Sequence, residues 1–461
     1  MAYFHHVVAV PTHDPVALSR FLSWHSDYVR ELGLDVAGFD YAVIGGGDRR
    51  VNRQLARLVA GFRKSDRVIG SRVHFFGDGW KLRLARRLEK AGVSRAVTSF
   101  LSKQTIPALR NLGHLAAHAI AAGQKRDVDR VLLHQADHDV LPAYVLSREP
   151  ETLRLLPFSW FDSAERIFRR HPEAAVLCGR YLGDPDKGIL SMLTSRELKL
   201  NPPLGSTLSS RVDAVLENPG RARRVAEALA AGIDLDNVHA WVHLPHRDDV
   251  ASAYSVPLPS PHGGVLSFRL GRFGHAPPTP YRGDDMFHVR SLLGQDAKSV
   301  FVSPHRAAFH EKNPRGRHLV NEMKSDFMDA LLGQLVERRA RVGDAPDSGR
   351  ALAEVVRDSA RKTLNWLPSD DVVRGERAAV RAALKTSVSG RARQDLELAK
   401  KSYGVFLTRL RQARAYFDRV AQNPGKVVKR LHRDAAAFEL LNRNLAGESS
   451  KMTAVAAQMG L

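Results

Sequence analysis

The sequence predicts an α/β fold, a mostly parallel sheet with helices on both faces, continued by an α-helical C-terminal region. Three observations predict it. From Phe4 to about Arg180, short apolar runs alternate with amphipathic helical stretches. The polar motifs of that half stand directly after apolar runs, at the carboxyl ends of strands, where doubly wound sheets bind ligands. From Leu319 to the end, apolar residues recur at helical spacing.

In chain order, "HHVVAVPT" (5–12) and "DYAVIGGG" (40–47) read as strands ending in turns, "SRVHFFG" (71–77) as a third, "VDRVLLHQA" (128–136) as a fourth and "AAVLCGRY" (174–181) as a fifth. "PVALSRFLSWHSDYVRELG" and "ALRNLGHLAAHAIAAGQ" read as helices between them, each with glycine at its end. "GDGW" at Gly77 to Trp80 reads either as a loop over a ligand or as a turn with a packed Trp. Residues 182–259 mix helical patterns with Pro and Gly breaks and read as an insertion lining one side of a site. Gly263 and Gly264 precede the short apolar run "VLSFR" and fit a tight turn before a strand. "VNEMKSDFMDALLGQLVERRA", "ALAEVVRDSARKTLNWL", "GERAAVRAALKTS", "ARQDLELAKKSYGVFLTRLRQARAYFDRVAQ" and "AAAFELLNRNLAG" are helical in pattern. No internal repeat is evident. The expected division is therefore an α/β domain over 1–318 and a basic helical domain over 319–461.

At 461 residues and 44% hydrophobic, the chain can bury a large core. A single Cys, Cys178, excludes a disulfide framework and a Cys-based zinc site, which fits a reducing compartment. The opening "MAYFHHVVAVPTHDP" has no basic region before its brief apolar run, unlike a signal peptide, and no run is long enough to cross a bilayer. A cytoplasmic location, with peripheral membrane contact open, is the expectation. The formal charge of +21 invites nucleic acid, an anionic membrane surface or phosphate-bearing substrates, although an arginine-rich composition on solvated faces gives the same number. No nucleic-acid module or basic run interleaved with aromatics is present, so nucleic acid is not the expected partner.

The chemistry centres on "ADHD" at Ala136 to Asp139. Two carboxylates one residue apart on an extended segment point the same way and repel, which suits a shared divalent cation. Hard oxygens favour Mg²⁺ or Mn²⁺, ions that complete their shell with substrate phosphates. The same acids also fit a cap on the turn before Pro142.

The order of motifs resembles the nucleotide-binding half of family 2 glycosyltransferases, the GT-A fold. The matching segments are "VPTHDP" at Val10 to Pro15, "VIGGGD" at Val43 to Asp48, "LRNLG" at Leu109 to Gly113 and "ADHD". Gly45, Gly46 and Gly47 stand where that family usually has acids. "GGVLSFR" at Gly263 to Arg269 looks like the glycine-rich segment beside the donor sugar. "RGDDMF" at Arg282 to Phe287 looks like the acidic element of inverting enzymes such as the galactosyltransferase and chondroitin-polymerase groups. "AAFHEKN" looks like the segment that supplies a metal-binding His. The resemblance implies donor contacts at Pro11, Thr12, Asp14, Asp48, Arg110, Asp137, Gly263 and Gly264, metal ligands Asp137, Asp139 and His310, and Asp285 as general base. Asp284 and Asp285 equally fit an N-cap pair on the helical stretch that follows.

The implied activity is metal-dependent, inverting transfer of a sugar from a nucleotide-sugar donor, a UDP-sugar by family analogy, to an acceptor hydroxyl. A neutral imidazole beside carboxylates favours Mn²⁺ over Mg²⁺. The acceptor, anionic by the hint of charge, is not specified, and the tail is a candidate for self-association. Two other classes stay open: a nucleotidyltransferase on a related fold, and a non-catalytic scaffold or nucleic-acid-binding protein built on a degenerate transferase.

Overall fold

Buried apolar strands organise the first half of the chain. His5–Thr12 (β1) and Phe39–Gly45 (β2) are buried at every position, as expected of strands covered on both faces. The computed structural model describes residues 4–137, 140–142, 144–149, 152–157, 160–182, 254–255, 266–281, 300–310, 319–342, 349–367, 369–385 and 391–460. Its contacts divide the chain into two units.

The α/β unit takes Met1–Leu182, His243–Glu311 and Phe438–Leu461. With Val73–Phe76 (β3), Val131–Gln135 (β4), Val140–Pro142 (β5), Val176–Leu182 (β8), Tyr254–Ser255 (β9), Leu266–Arg269 (β10) and Val300–His310 (β11), the strands form one sheet in the order β3-β2-β1-β4-β10-β8-β11-β5, and β9 pairs with β11. Tyr144–Glu149 (β6) and Thr152–Pro157 (β7) form a separate antiparallel pair. The sequence predicts a mostly parallel sheet; the observed sheet is mixed. β3, β2, β1 and β4 are parallel, and β8 is parallel to β11, but β10 runs antiparallel between β4 and β8. The apolar run "LSFR" carries no mark of its direction, which only its two neighbours set.

Pro15–Glu31 (α1), Arg49–Ser65 (α2), Asp78–Lys90 (α3), Arg95–Leu101 (α4), Ile106–Gly123 (α5) and Trp160–Arg170 (α6) flank the strands. "GDGW" opens the helix α3 rather than forming a loop, and Trp80 packs edge-on against Phe76 with ring centroids 4.8 Å apart. On one face, α3, α4 and α5 share a core with Val7, Ala9, Ala42, Ile44, Val131 and Leu133. α5 lies close to the sheet because Gly113 has no side chain: a Cβ there would stand 3.0 Å from the Ala9 Cβ. The other face buries a polar chain. The Ser267 hydroxyl meets His134 Nδ1 at 2.6 Å, and His134 Nε2 meets His6 Nδ1 at 2.9 Å. Glu165, 3.7 Å from His6 Nε2, sets the direction, so that Ser267 donates to His134 and His134 donates to His6.

The helical stretches of the tail form Leu319–Val342 (α7), Gly349–Trp366 (α8), Asp370–Lys385 (α9), Arg391–Gln422 (α10) and Gly425–Met459 (α11). The second unit, Gly183–Val242 and Lys312–Ala437, buries Leu331, Leu335, Val356, Leu410 and Phe417 among its described residues. Asp370 there accepts from Arg411 at 2.9 Å and from Arg414 at 3.0 Å. The end of α11 belongs instead to the α/β unit, where Leu445, Met452, Val455 and Ala456 join the core with α3 to α5. Glu448 accepts from the Ser94 amide at 3.1 Å, and Asn442 bonds His275 at 2.8 Å. No helix among the described residues is long and apolar enough to cross a membrane.

Candidate functional site

The carboxyl ends of β1, β2 and β4 meet beside the starts of α1, α2 and α5, the crevice where such sheets take ligands. Each loop here is short and braced. Asp14 Oδ1 accepts from the amides of Val16 and Ala17 at 2.9 and 3.1 Å, and Asp48 Oδ1 from those of Arg50 and Val51 at 2.8 and 2.9 Å. Both acids, expected as donor contacts, are thus helix N-caps, the role their backbone position favours. Pro11 and Thr12 are buried at the end of β1, and the Thr12 hydroxyl accepts from the Asp14 amide at 3.2 Å.

The glycine triplet links this turn to the next. Gly46 N–H donates to the Thr12 carbonyl at 2.6 Å. Asn52 Nδ2 reaches the carbonyls of Gly46, Gly47 and Asp48, each at 3.2 Å. Gly47 has φ +83°, a left-handed conformation that glycine adopts without steric cost. A Cβ on Gly45 would fall 2.3 Å from Asn52 Oδ1. The triplet is therefore demanded by local packing and backbone conformation. Lys81 of α3 donates to the Gly45 carbonyl. Burial holds its amine below the ordinary lysine value, against the pull of Asp78 at 3.9 Å.

Arg110 and Asp137, expected from separate motifs, come together. Arg110 Nη2, on a side chain 6% exposed, stands 3.5 Å from Asp137 Oδ1, whose side chain is 32% exposed. The neighbouring Asn111 serves the fold: Nδ2 donates to the Ala276 carbonyl at 2.8 Å and Oδ1 accepts from the Ala276 amide at 3.0 Å. Two residues before Asp137, Gln135 is only 2% exposed, and neither its Oε1 nor its Nε2 has a partner among the described residues. A buried amide left open on both atoms is costly and calls for a ligand or water. Sequence reasoning overlooked Gln135 and Lys81; the signal for the former was a polar pair, His134-Gln135, ending an otherwise apolar strand.

Asp139, Gly263, Gly264 and Asp285 lie outside the described residues, as does the His310 side chain. The backbone of His310 ends β11, where it pairs with Val140 in the antiparallel ladder, one residue after Asp139. Among the described residues no three His, Cys, Asp or Glu side chains converge as a metal site. Among the described residues, Arg110 stands beside the Asp137 carboxylate at the end of β4 and Lys81 reaches the end of β2, charges suited to a phosphorylated ligand and a counter-cation. No protein-family model matches this sequence and no curated protein matches it, so the reading of the site rests on its own residues.

Proposed function

We propose that the chain is a metal-dependent glycosyltransferase of the GT-A type that moves a sugar from a nucleotide-sugar donor, with UDP as the base carrier, to an acceptor hydroxyl with inversion. The observation that supports this reading is the β11–β5 ladder: the backbone of His310 pairs with Val140, the residue that follows Asp139 in sequence, although the two partners are 170 residues apart in the chain.

The donor set fits a divalent ion. Asp137 is partly exposed rather than consumed by the core; in this reading Asp139, two residues on, and the imidazole of His310 would complete the set, and such a nitrogen favours Mn²⁺ over Mg²⁺. When bound, such an ion supplies charge neutralisation for the departing diphosphate. Arg110 orients Asp137 and adds positive charge to the same crevice. The braced Thr12–Asp14 and Gly45–Asp48 turns give a rigid floor for the nucleoside. Asp285 is the acceptor-side base in this reading, taking the hydroxyl proton as the sugar is attacked.

Calorimetric titration of the full chain with UDP, GDP, ADP and CDP, each with and without Mn²⁺, tests the proposal. One nucleotide is expected to bind only with Mn²⁺, and Asp139→Ala to lose that binding. If no nucleotide binds under either condition, the reading fails.

A further inference from the structure

α2 combines six cations with no acid. Of its 17 residues, Arg49, Arg50, Arg53, Arg57, Arg63 and Lys64 are all exposed, and none is Asp or Glu. None of the six has an acid within ion-pair distance among the described residues. Neighbouring helices differ: on α1 Arg30 pairs with Asp27, and on α3 Lys81 stands 3.9 Å from Asp78. In the helical tail Arg411 and Arg414 hold Asp370, and Arg430 holds Asp434. Arginine that merely fills solvated faces leaves acids among its cations, as it does there.

The helix puts all six on one surface. At about 100° per residue they fall within about 140° of its circumference. Arg49 and Arg63 stand at one margin, Arg50 and Arg57 at the other, and Arg53 and Lys64 between them, along a ridge about 22 Å long. The buried Asn52, Leu55 and Val59 take the side turned inward. α2 packs beside α1, and Leu55 and Val59 lie outside the core that α3, α4 and α5 share with the sheet, so the cations of α3 belong to another surface. Arg49 and Arg50 occupy the first turn, where the helix dipole disfavours cations, so local stability does not account for them. No large apolar or aromatic side chain of α2 is exposed; Gln54, Ala60 and Gly61 fill the gaps between the cations.

We infer that the α2 ridge docks on duplex DNA, along the mouth of the major groove. Contacts from Arg and Lys to phosphates supply sequence-independent binding with no apolar group, and the planar fork of arginine matches phosphate oxygens. A helix with its side chains is about 10–12 Å across, and the B-form major groove is about 12 Å wide. Cations fanned over about 140° reach phosphates on both walls of such a groove. A flat anionic bilayer meets only the middle of the arc, and the ridge offers it no apolar side chain to enter the headgroup layer. The major groove of duplex RNA is too narrow for side chains to enter, and without an exposed aromatic the ridge has no stacking platform for single strands. The sequence carries no nucleic-acid module; the ridge emerges only from the way α2 is seated. This inference does not depend on the enzymatic reading, because binding to DNA needs neither nucleotide sugar nor metal.

Fluorescence anisotropy of a labelled DNA duplex of mixed sequence, about 20 base pairs long, titrated with the full chain tests it. Affinity is expected to fall about 10³-fold between 0.05 and 0.2 M salt, the slope of about six phosphate contacts. Combining Arg50→Gln, Arg53→Gln and Arg57→Gln should roughly halve that slope and weaken binding on the order of 10²-fold at 0.1 M salt. The matching Lys set keeps the charge and should keep the slope, which separates loss of charge from loss of fold. Arg83→Gln, Arg86→Gln and Arg87→Gln on α3 remove as much charge from the other surface and should leave the slope unchanged. Equal slopes for wild type and the α2 Gln variant overturn the inference. So does an RNA duplex that binds as tightly as DNA, or binding of phosphatidylglycerol vesicles as tight at the same salt and lost in the same variant.

Discussion

The two ends of the parallel strands treat polar groups in opposite ways. At the amino end, the buried Asp40 is saturated: it accepts from His5 Nε2 at 2.8 Å, His74 Nε2 at 2.6 Å and Gln124 Nε2 at 2.7 Å. At the carboxyl end, Gln135 is buried with both amide atoms open, and Asp137 faces solvent with Arg110 at its side. Saturated polar clusters serve the fold, whereas open ones cost stability and are kept where a ligand completes them.

The largest expected effect is at the saturated end. Asp40→Ala strands the buried His5 donor and the half-buried His74 and Gln124, and should lower unfolding free energy by about 3 kcal/mol in urea titration. Any nucleotide affinity of the folded fraction should survive; its selective loss at full stability would break the contrast. Asp137→Asn should do the reverse, leaving stability within about 1 kcal/mol while weakening Mn²⁺-dependent nucleotide binding about 100-fold in calorimetry.

The acid limb gives a third test. Burial pushes the Asp40 carboxyl up, but hydrogen bonds from His5, His74 and Gln124 outweigh it and hold the group at about 2, below its ordinary 3.8. A depressed carboxyl contributes stability that is complete above its unfolded value and is lost as pH falls through the folded one. Between about pH 4 and 2 the wild type should therefore lose about 2 kcal/mol that Asp40→Asn, already lacking it, does not. Parallel pH profiles of the two proteins would remove the basis for assigning this role to Asp40.

Smaller effects sharpen the other end. Gln135→Leu should raise stability by about 1 kcal/mol by removing an unpartnered buried amide, and should weaken nucleotide or sugar-donor binding. A stability loss instead would mean that buried water already completes the amide. Asp48→Ala and Asp14→Ala should each cost about 1 kcal/mol as lost caps, read by thermal melting.

Much of the first half was legible because its signals are local. Apolar runs gave β1, β2, β4 and β8, and Asp14 and Asp48 stand where a cap must stand, although motif matching assigned them to the ligand. Of the two readings of "GDGW", the packed Trp holds: Gly77 is the cap of α3, and Trp80 joins the core against Phe76. "LRNLG" divides its labour in a way no pattern separates: Arg110 turns to Asp137, Asn111 clamps Ala276, and Gly113 lets helix meet sheet.

By itself the sequence determined the alternation of strand and helix, the helical tail, the excess of positive charge and the candidate acids, because periodicity, capping and composition act between near neighbours. Tertiary structure alone decided the antiparallel insertion of β10 between β4 and β8, the pairing of His310 with Val140, the return of Phe438–Leu461 to the α/β core and the abandonment of Gln135. Each of these depends on which distant segment reaches a strand edge or a buried atom first, and such pairings are set by packing across the whole unit rather than by any stretch of residues read in order.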